Sequence, residues 1–389
     1  MPKSRLVSFI VPIFLFSIIW SAEEFFISAR YSEANISIEV MGMLFAFSSI
    51  ISLLLDIPAG KLSDKIGRQK LIAYSMLLVA VAMFLLYASS TLIAFIASTG
   101  LIGVAYGLNW SPLLAYVGDS AKKYKQGSNF AGFFTLTAIG EAVAPLLTVA
   151  MVSYSNNRFP FLVFSVVALA CAFMFARLKP EHVPVLKKTK KPMSFSYASS
   201  VAIIHKIGPR SLFLLFMGFF VAFFWESVWF SQPLVGVFED SLINAALIVA
   251  AFSIPTIIFS KPLGWLIDKI GEKKVFFYSI TLVVISFLSF YLSQALIAKV
   301  AFIFLAAVGV LGVWLVLDVL SVKINEAGQR GEFFGILETV RDASYAIAPL
   351  FIGFSYKAIG LNGVFLVNSI IACFLLFFGV LIFRGKTVY

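Results

Sequence analysis

Apolar runs of about 20 residues recur along the whole chain, and this repetition limits its fold more than any other feature. A helix of about 20 residues crosses the hydrocarbon core of a bilayer, which is roughly 30 Å thick. Most connections between the runs are short, and in lipid only helices or closed barrels satisfy the backbone polar groups. The sequence therefore predicts an all-α membrane protein with twelve helices, near 6–29, 37–58, 71–89, 92–117, 129–153, 159–177, 210–232, 242–262, 274–293, 300–322, 332–356 and 361–383.

The composition excludes a soluble protein. Of the 389 residues, 61% are hydrophobic and 13% are charged, whereas a soluble domain is about half apolar and about a quarter charged. Two cysteines and two histidines are too few for a disulfide framework or a metal site, so we expect no cofactor. The sequence shows no nucleophile–base pattern and no ATP-binding loop, so we expect neither an enzyme nor an ATP-driven pump.

The positions of the basic residues predict the orientation. With the N-terminus inside, all but five of the 30 Lys and Arg residues fall in cytoplasmic segments, and the five are Arg30, Arg158, Lys299 and Lys357 in outer loops and Arg341 within a helix. Basic residues concentrate on the cytoplasmic side of membrane proteins, so we expect both termini in the cytoplasm. The net charge of +11 thus reflects topology and not a nucleic-acid partner.

A long basic connection and an internal repeat divide the chain into two halves. We expect six-helix bundles at 1–178 and 210–389, joined by a cytoplasmic loop at 179–209. When the halves are shifted by 204 residues, ten of the 18 positions in 58–75 are identical to those in 262–279, and Trp110 aligns with Trp314. A parallel duplication of six helices explains this match, and such repeats place the substrate site between the halves near the midplane.

Two loop sequences carry a resemblance to a known family. GKLSDKIGRQK at 60–70 resembles the signature between helices two and three of the major facilitator superfamily, and GWLIDKIGEKK at 264–274 resembles its weaker second copy. Helix count, central loop and repeat extend the resemblance over the whole chain. It implies alternating access, with helices one, four, seven and ten around a central cavity and helices two, five, eight and eleven beside them. The signature does not identify a substrate.

The first copy of the signature has two interpretations. Gly60 permits close helix approach and Gly67 permits a turn with positive φ. By the resemblance, Asp64, Arg68 and Asp119 form a latch that holds the outward-open state against the start of helix eleven. The alternative is an ordinary turn with solvated charges.

The second copy, with Gly264, Asp268 and Gly271, departs from the pattern because Glu272 replaces the arginine. We therefore do not expect a symmetric latch. In its place, the sequence suggests that Asp318 pairs with Lys269 or Lys273.

The fourth and fifth helices leave antiport open. GEAVAP at 140–145 resembles a degraded form of the antiporter motif of this superfamily, with Ala144 where glycine is usual. A packing kink at Pro145 explains the same residues equally well. The fourth helix lacks the arginine that many proton antiporters carry at this depth, and Asn109 and Trp110 form its polar spot.

Ionisable side chains at membrane depth are costly and usually face a cavity or a partner. Glu141 lies near midplane with no cation in its own helix, which makes it the first candidate for carrying a proton. Glu24 and Glu226 lie close to tryptophans and suit a cationic or aromatic substrate. The full set of substrate and proton candidates is Glu23, Glu24, Glu141, Glu226, Glu338, Arg341 and Asp342, together with Asn109, Trp110, Trp229 and Trp314.

Alternatives stay open for several of these residues. Arg341 either holds an anionic group or neutralises Glu338 or Asp342, and the whole cluster fits salt bridges between helices. Glu23 either faces the site or reaches the outer interface. Trp110 and Trp314 either line the cavity or anchor the helices at the membrane surface.

The leading hypothesis is proton-coupled export of small lipophilic or cationic organic compounds across the cell membrane by a monomer, with protons, lipid and a small-molecule substrate as its partners. The alternatives are a nutrient or metabolite carrier, working as a uniporter or proton symporter, and a transporter-like receptor without turnover.

Overall fold

The described part of the chain is helical throughout. The computed structural model describes residues 3–119, 126–178, 209–238, 241–324 and 330–383. Within these ranges eleven helices are long and apolar enough to cross a membrane. In chain order they are α1 (Lys3–Glu33), α2 (Ile38–Ile66), α3 (Arg68–Ala88), α4 (Leu92–Asp119), α5 (Gln126–Ser153), α6 (Phe159–Arg177), α7 (Pro209–Phe238), α8 (Leu242–Ile270), α9 (Glu272–Leu292), α10 (Leu296–Ile324) and α11 (Arg330–Phe383).

The last helix is broken at Gly360, which explains the difference from the twelve predicted helices. A straight helix of 54 residues would be about 81 Å long at 1.5 Å per residue, far more than a bilayer needs. At Gly360 the backbone leaves the helical region, with φ 70 and ψ 163. The first arm of α11, 330–359, and the second arm, 361–383, coincide with the two predicted spans. They count as one element because no loop separates them.

Single glycines make the same turn in both halves. Gly67 joins α2 to α3 at φ 97, and Gly271 joins α8 to α9 at φ 87. Residues other than glycine rarely adopt this backbone conformation. The tight second turn starts α9 at Glu272, two residues before the predicted span. Glu272, which lies outside the predicted span, is therefore buried in the first turn of α9.

The two halves use equivalent helix pairs. In the first half α1 packs on α5, α2 on α4, and α3 on both α4 and α6. In the second half α7 packs on α11, α8 on α10, and α9 on both α10 and α11. The apolar core has two clusters: one lies within the second half, and the other lies mainly in the first half and also includes residues of α7, α8 and α11. The predicted loop at 179–209 lies outside the described residues except for its last residue, Pro209.

Four segments carry much of the apolar outer surface. The exposed side chains on α3, α6, α9 and the second arm of α11 include Leu77, Val81, Phe84, Val166, Phe173, Ile285, Phe374 and Phe377. Exposed apolar surface on this scale is not stable in water. These helices therefore face lipid, as expected for supports of a central path.

Arg30 is a buried tie between α1 and α3, so its predicted place in an outer loop is wrong. Its guanidinium donates to the carbonyl oxygens of Leu86 (2.8 Å) and Ser89 (2.7 Å) and to Oγ of Ser90 (2.8 Å). It also pairs with Glu33 at 2.7 Å. The last carbonyls of a helix have no partner within the helix. Arg30 therefore provides hydrogen-bond donors for the carbonyl groups at the end of α3.

We predict that Arg30→Met lowers the free energy of unfolding by about 1–3 kcal/mol, since buried carbonyls lose a charged donor. Thermal unfolding of the purified protein measures this loss. Arg158→Met is the control, because Arg158 is 42% exposed and lies 3.6 Å from Glu33; its effect should stay below about 1 kcal/mol. Equal effects of the two substitutions would contradict the structural role of Arg30.

Candidate functional site

The candidate site lies where the two halves meet. Three helix pairs form this interface: α1 with α7, α2 with α11, and α5 with α8. The end of the bundle where α1 begins is called the near end below, and the end where α1 finishes is called the far end. Because consecutive helices are joined by short turns, α2 runs from the far end to the near end.

One side of α2 forms a seam with the first arm of α11. Gly42, Ser49 and Asp56 are one heptad apart, so they lie on the same face of the helix. Gly42 contacts the backbone of Pro349 and Gly353. Ser49 donates from Oγ to the carbonyl oxygen of Tyr345 at 3.4 Å. The seam extends about 21 Å along α2 from Gly42 to Asp56.

The far end of the seam is tightly closed. A Cβ placed on Gly42 would lie 2.5 Å from the carbonyl oxygen of Pro349, a distance that real Cβ atoms do not tolerate. Beyond it, Lys357 pairs with Glu39 at 2.6 Å. Phe45 packs edge-on against Phe230 of α7, with ring centroids 4.9 Å apart. At this end the backbones of the two halves are therefore in direct contact.

Four carboxyl groups gather at the centre of the interface. Glu23 and Glu24 come from α1, Glu141 from α5 and Glu226 from α7. Glu24 lies next to Glu226, and its other acidic neighbours are Glu23 and Glu141. Glu23 is 5% exposed and accepts a short hydrogen bond from the hydroxyl of Tyr106. The structure thus brings together four acids that the sequence places on three different helices.

The contact between Glu24 and Glu226 has a chemical consequence. Two ionised carboxylates can only accept hydrogen bonds. The pair can therefore form a hydrogen bond only when one of the two groups carries a proton. Such a proton would join α1 of the first half to α7 of the second half.

Aromatic side chains border the carboxyl cluster. Trp20, one turn before Glu23 and Glu24 on α1, stacks on Tyr106 of α4 with ring centroids 3.6 Å apart. Trp110 follows one turn later on α4, with its ring centroid 5.8 Å from that of Trp20. Trp20, Tyr106 and Trp110 are only partly buried. They form a wall beside the acids.

A second polar cluster surrounds Arg341 on α11. The guanidinium pairs with Asp318 of α10 at 2.8 Å and with Glu338 at 2.5 Å. It also lies over the ring of Trp314, 4.2 Å from the centroid. The predicted pairing of Asp318 with Lys269 or Lys273 is wrong, because Asp318 forms its ion pair with Arg341 of α11.

Both of those lysines have other partners. Lys269 lies over the ring of Trp265, 4.5 Å from the centroid, and Lys273 donates to the carbonyl oxygen of Phe383 at 3.0 Å.

Asp342 takes part in a different contact from its neighbour Arg341. Its carboxyl group faces that of Asp56, at the near-end limit of the seam. This is a second carboxyl pair that crosses from one half to the other, and it too can form a hydrogen bond only when one of the two groups carries a proton. Within the described ranges, no three His, Cys, Asp or Glu side chains are placed to hold a metal ion.

Several candidates lie away from these clusters. Asn109 is fully buried and donates to Oγ of Ser75 on α3 at 2.8 Å, so it supports packing inside the first half. Trp229 is 1% exposed and packs into the first half's core. Asp268 is exposed, and a Cβ on Gly264 would meet nothing within 4 Å.

The contacts of the predicted latch stay a prediction. Gly60 lies within α2, but its surroundings and the side chains of Asp64 and Asp119 are not described, whereas Arg68 is described and partly buried.

Two residues of the site were missed in the sequence. Asp56 ends the second apolar run, so the rule that flags acids at membrane depth would have found it. Its partner, however, lies in the other half. Tyr106 carries no charge and resembles many membrane tyrosines, so only its position against Trp20 and Glu23 reveals it.

Comparisons with known proteins agree with the helix arrangement. The sequence model of the family described as Major Facilitator Superfamily matches residues 6–239 and, in a second match, 214–388. No curated protein matches the sequence.

Solved transporters share the fold. A point mutant of the nucleoside transporter NupG aligns with a TM-score of 0.82 at 12% identity, covering 97% of this chain and 99% of that chain. The human organic anion transporter MFSD10 (TETRAN) aligns with a TM-score of 0.71 at 18% identity, covering 97% and 100%. A bacterial homolog of the human lysosomal transporter Spinster, in an inward-facing and occupied conformation, aligns with a TM-score of 0.78 at 12% identity. The alignment covers 97% of this chain and 96% of that chain. At these identities the similarity concerns the fold alone.

Proposed function

Because the chain belongs to the major facilitator superfamily, we propose that it is a secondary transporter that exports small organic cations in exchange for protons. The observation that carries this proposal is the central cluster of four carboxyl groups between the halves. The proposal places the protein in the cell membrane as a monomer, with both termini in the cytoplasm.

The charge of the cluster favours a cationic substrate. The groups that act electrostatically on Glu24 are the acids Glu23, Glu141 and Glu226. A buried group of acids without a cation is costly. An organic cation at this place would offset part of that cost, and the neighbouring tryptophans add cation–π attraction.

The shared protons favour coupling to a proton gradient. A cation that enters between Glu24 and Glu226 competes with the proton that joins them. Binding of one therefore promotes release of the other, which is the exchange that antiport requires. Glu141 lies beside the pair and accepts the released proton in this scheme.

The seam supports alternating access. In the proposed orientation the far end is the outer side, so the closed contacts around Gly42 describe an outward-closed state. Export then requires that this end opens while the near end closes. The heptad-spaced contacts of α2 with α11 allow such rocking, because each is small and local.

A carrier of acidic metabolites is the alternative function. Two of the solved structures with this fold are, by their names, a nucleoside transporter and an organic anion transporter. An anionic substrate would need Arg341. Because Asp318 and Glu338 already pair with that guanidinium, the structure favours the cation.

We predict that an imposed pH gradient drives a lipophilic cation across vesicles that contain the protein. Glu141→Gln should reduce this gradient-driven flux at least about tenfold, corresponding to about 1.4 kcal/mol, because the exchanged proton loses its acceptor. Glu33→Gln is the control at the far end and should retain the flux.

Two results would overturn the proposal. One is that no compound moves with the gradient and Glu141→Gln changes nothing. The other is that acids move in place of cations and that Arg341→Ala stops them, which would establish the alternative carrier.

We predict that Gly42→Ala shifts the population toward a state that is open at the far end. The new methyl group would collide with the Pro349 backbone across the interface, so the halves must separate there. The readout is labelling of a Phe45→Cys reporter by a membrane-impermeant maleimide, in a chain whose Cys171 and Cys373 are replaced by alanine.

Gly103→Ala is the matched control. Its Cβ would also lie 2.5 Å from a backbone oxygen, that of Ser48, but within the first half. It should reduce stability and leave labelling of the reporter unchanged. Unchanged labelling in Gly42→Ala would contradict the closed seam.

A further inference from the structure

The stack of Trp20 and Tyr106 has an unusual geometry. Its ring centroids are 3.6 Å apart at an interplanar angle of 17°, and it is the closest ring pair among the described residues. The neighbouring pair of Phe16 and Trp20 is edge-on at 5.4 Å and 68°. Aromatic side chains prefer such edge contacts, or offset stacks with centroids 4.5–7 Å apart, because two electron-rich faces repel each other.

Polar contacts hold Tyr106 in this position. Its hydroxyl donates to the nearly buried carboxyl group of Glu23. Trp110, one turn further along α4, lies at a tilt to Trp20, with an interplanar angle of 44°. The uncharged ring of Tyr106 therefore covers a face of the Trp20 ring, and the uncharged hydroxyl of Tyr106 is the hydrogen-bond donor to Glu23.

A flat aromatic cation would make both contacts better. Its electron-poor ring would be attracted to the face of Trp20 instead of repelled. A protonated nitrogen would give Glu23 a charge-assisted hydrogen bond, which is stronger than one from a neutral hydroxyl. The arrangement of ring and donor in Tyr106 thus has the shape of such a ligand.

We infer that Tyr106 is an internal substitute for the substrate and that the site selects flat aromatic cations, which displace Tyr106 from Trp20 and Glu23. This inference rests on the proposed function and names its substrate class. Trp20 and Tyr106 both retain exposed surface. Tyr106 is therefore a specificity-determining residue: only a ligand that contacts the face of Trp20 more favourably than the tyrosine ring displaces it.

Equilibrium binding to the full-length protein in nanodiscs tests the inference with two probes. Ethidium is flat and cationic, whereas the four rings of tetraphenylphosphonium cannot lie flat on Trp20. Tyr106→Leu removes the competing ring and hydroxyl, so ethidium should bind on the order of fivefold more tightly. Tetraphenylphosphonium should keep its Kd. Trp20→Leu should weaken ethidium and spare tetraphenylphosphonium.

Two further variants guard the interpretation. Tyr87→Leu makes the same change at a partly buried tyrosine on α3 and should leave both Kd values unchanged. If Tyr106→Leu does not fold, Tyr106→Phe removes only the hydroxyl contact with Glu23 and should tighten ethidium binding in the same direction by a smaller factor.

The outcomes separate the inference from the proposed function. If both probes bind and substitution of Tyr106 leaves ethidium unchanged or weaker, Tyr106 is not a substrate substitute and the inference fails alone. If neither probe binds the unaltered protein, the proposed export of organic cations fails as well. Binding to empty nanodiscs is subtracted in every case.

Discussion

Two carboxyl groups that face each other at close range repel each other when both are ionised, and a proton shared between them removes that repulsion. Two such pairs lie where the halves of this protein meet. Glu24 faces Glu226 at the centre, and Asp56 faces Asp342 toward the near end. In the proposed mechanism each pair holds one proton, so loss of that proton weakens the contact between the halves.

The contacts along the interface differ in kind from one end to the other. At the far end Gly42 brings two backbones together, and that contact does not depend on pH. At the centre the carboxyl cluster is bordered by the rings of Trp20 and Tyr106. Toward the near end Asp56 of α2 faces Asp342 of α11. A molecule built in this way is expected to loosen first at the levels where protons leave, while the backbone contact at the far end persists until the halves rotate.

The sequence predicted the all-helical membrane fold because the rules involved are local. Apolar runs of membrane length and the 204-residue match need no knowledge of tertiary contacts, and the match anticipates that Gly67 and Gly271 make the same turn. The orientation that the basic residues predict stays a prediction. Gly360 is the exception in the fold, since the sequence does not reveal that one residue would replace a whole loop.

The site was less predictable because its contacts join distant parts of the chain. Glu24 and Glu226 were recognisable as unusual acids, but not as partners. Asp318 was assigned to a lysine of the second loop signature, although its partner in the structure is Arg341 on α11. Arg30 resembled a loop residue because the apolar run ends before it, whereas the helix continues to Glu33. In each case tertiary packing decided the partner.

The most direct test of the shared protons is the infrared carbonyl absorption of protonated carboxyl groups in the substrate-free protein at neutral pH. The account predicts such absorption, with one part removed by Glu24→Gln and a separate part removed by Asp56→Asn. Glu33→Gln should remove none, because Glu33 pairs with Arg30. A spectrum without protonated carboxyl groups at neutral pH, or one that both substitutions leave unchanged, would contradict the account.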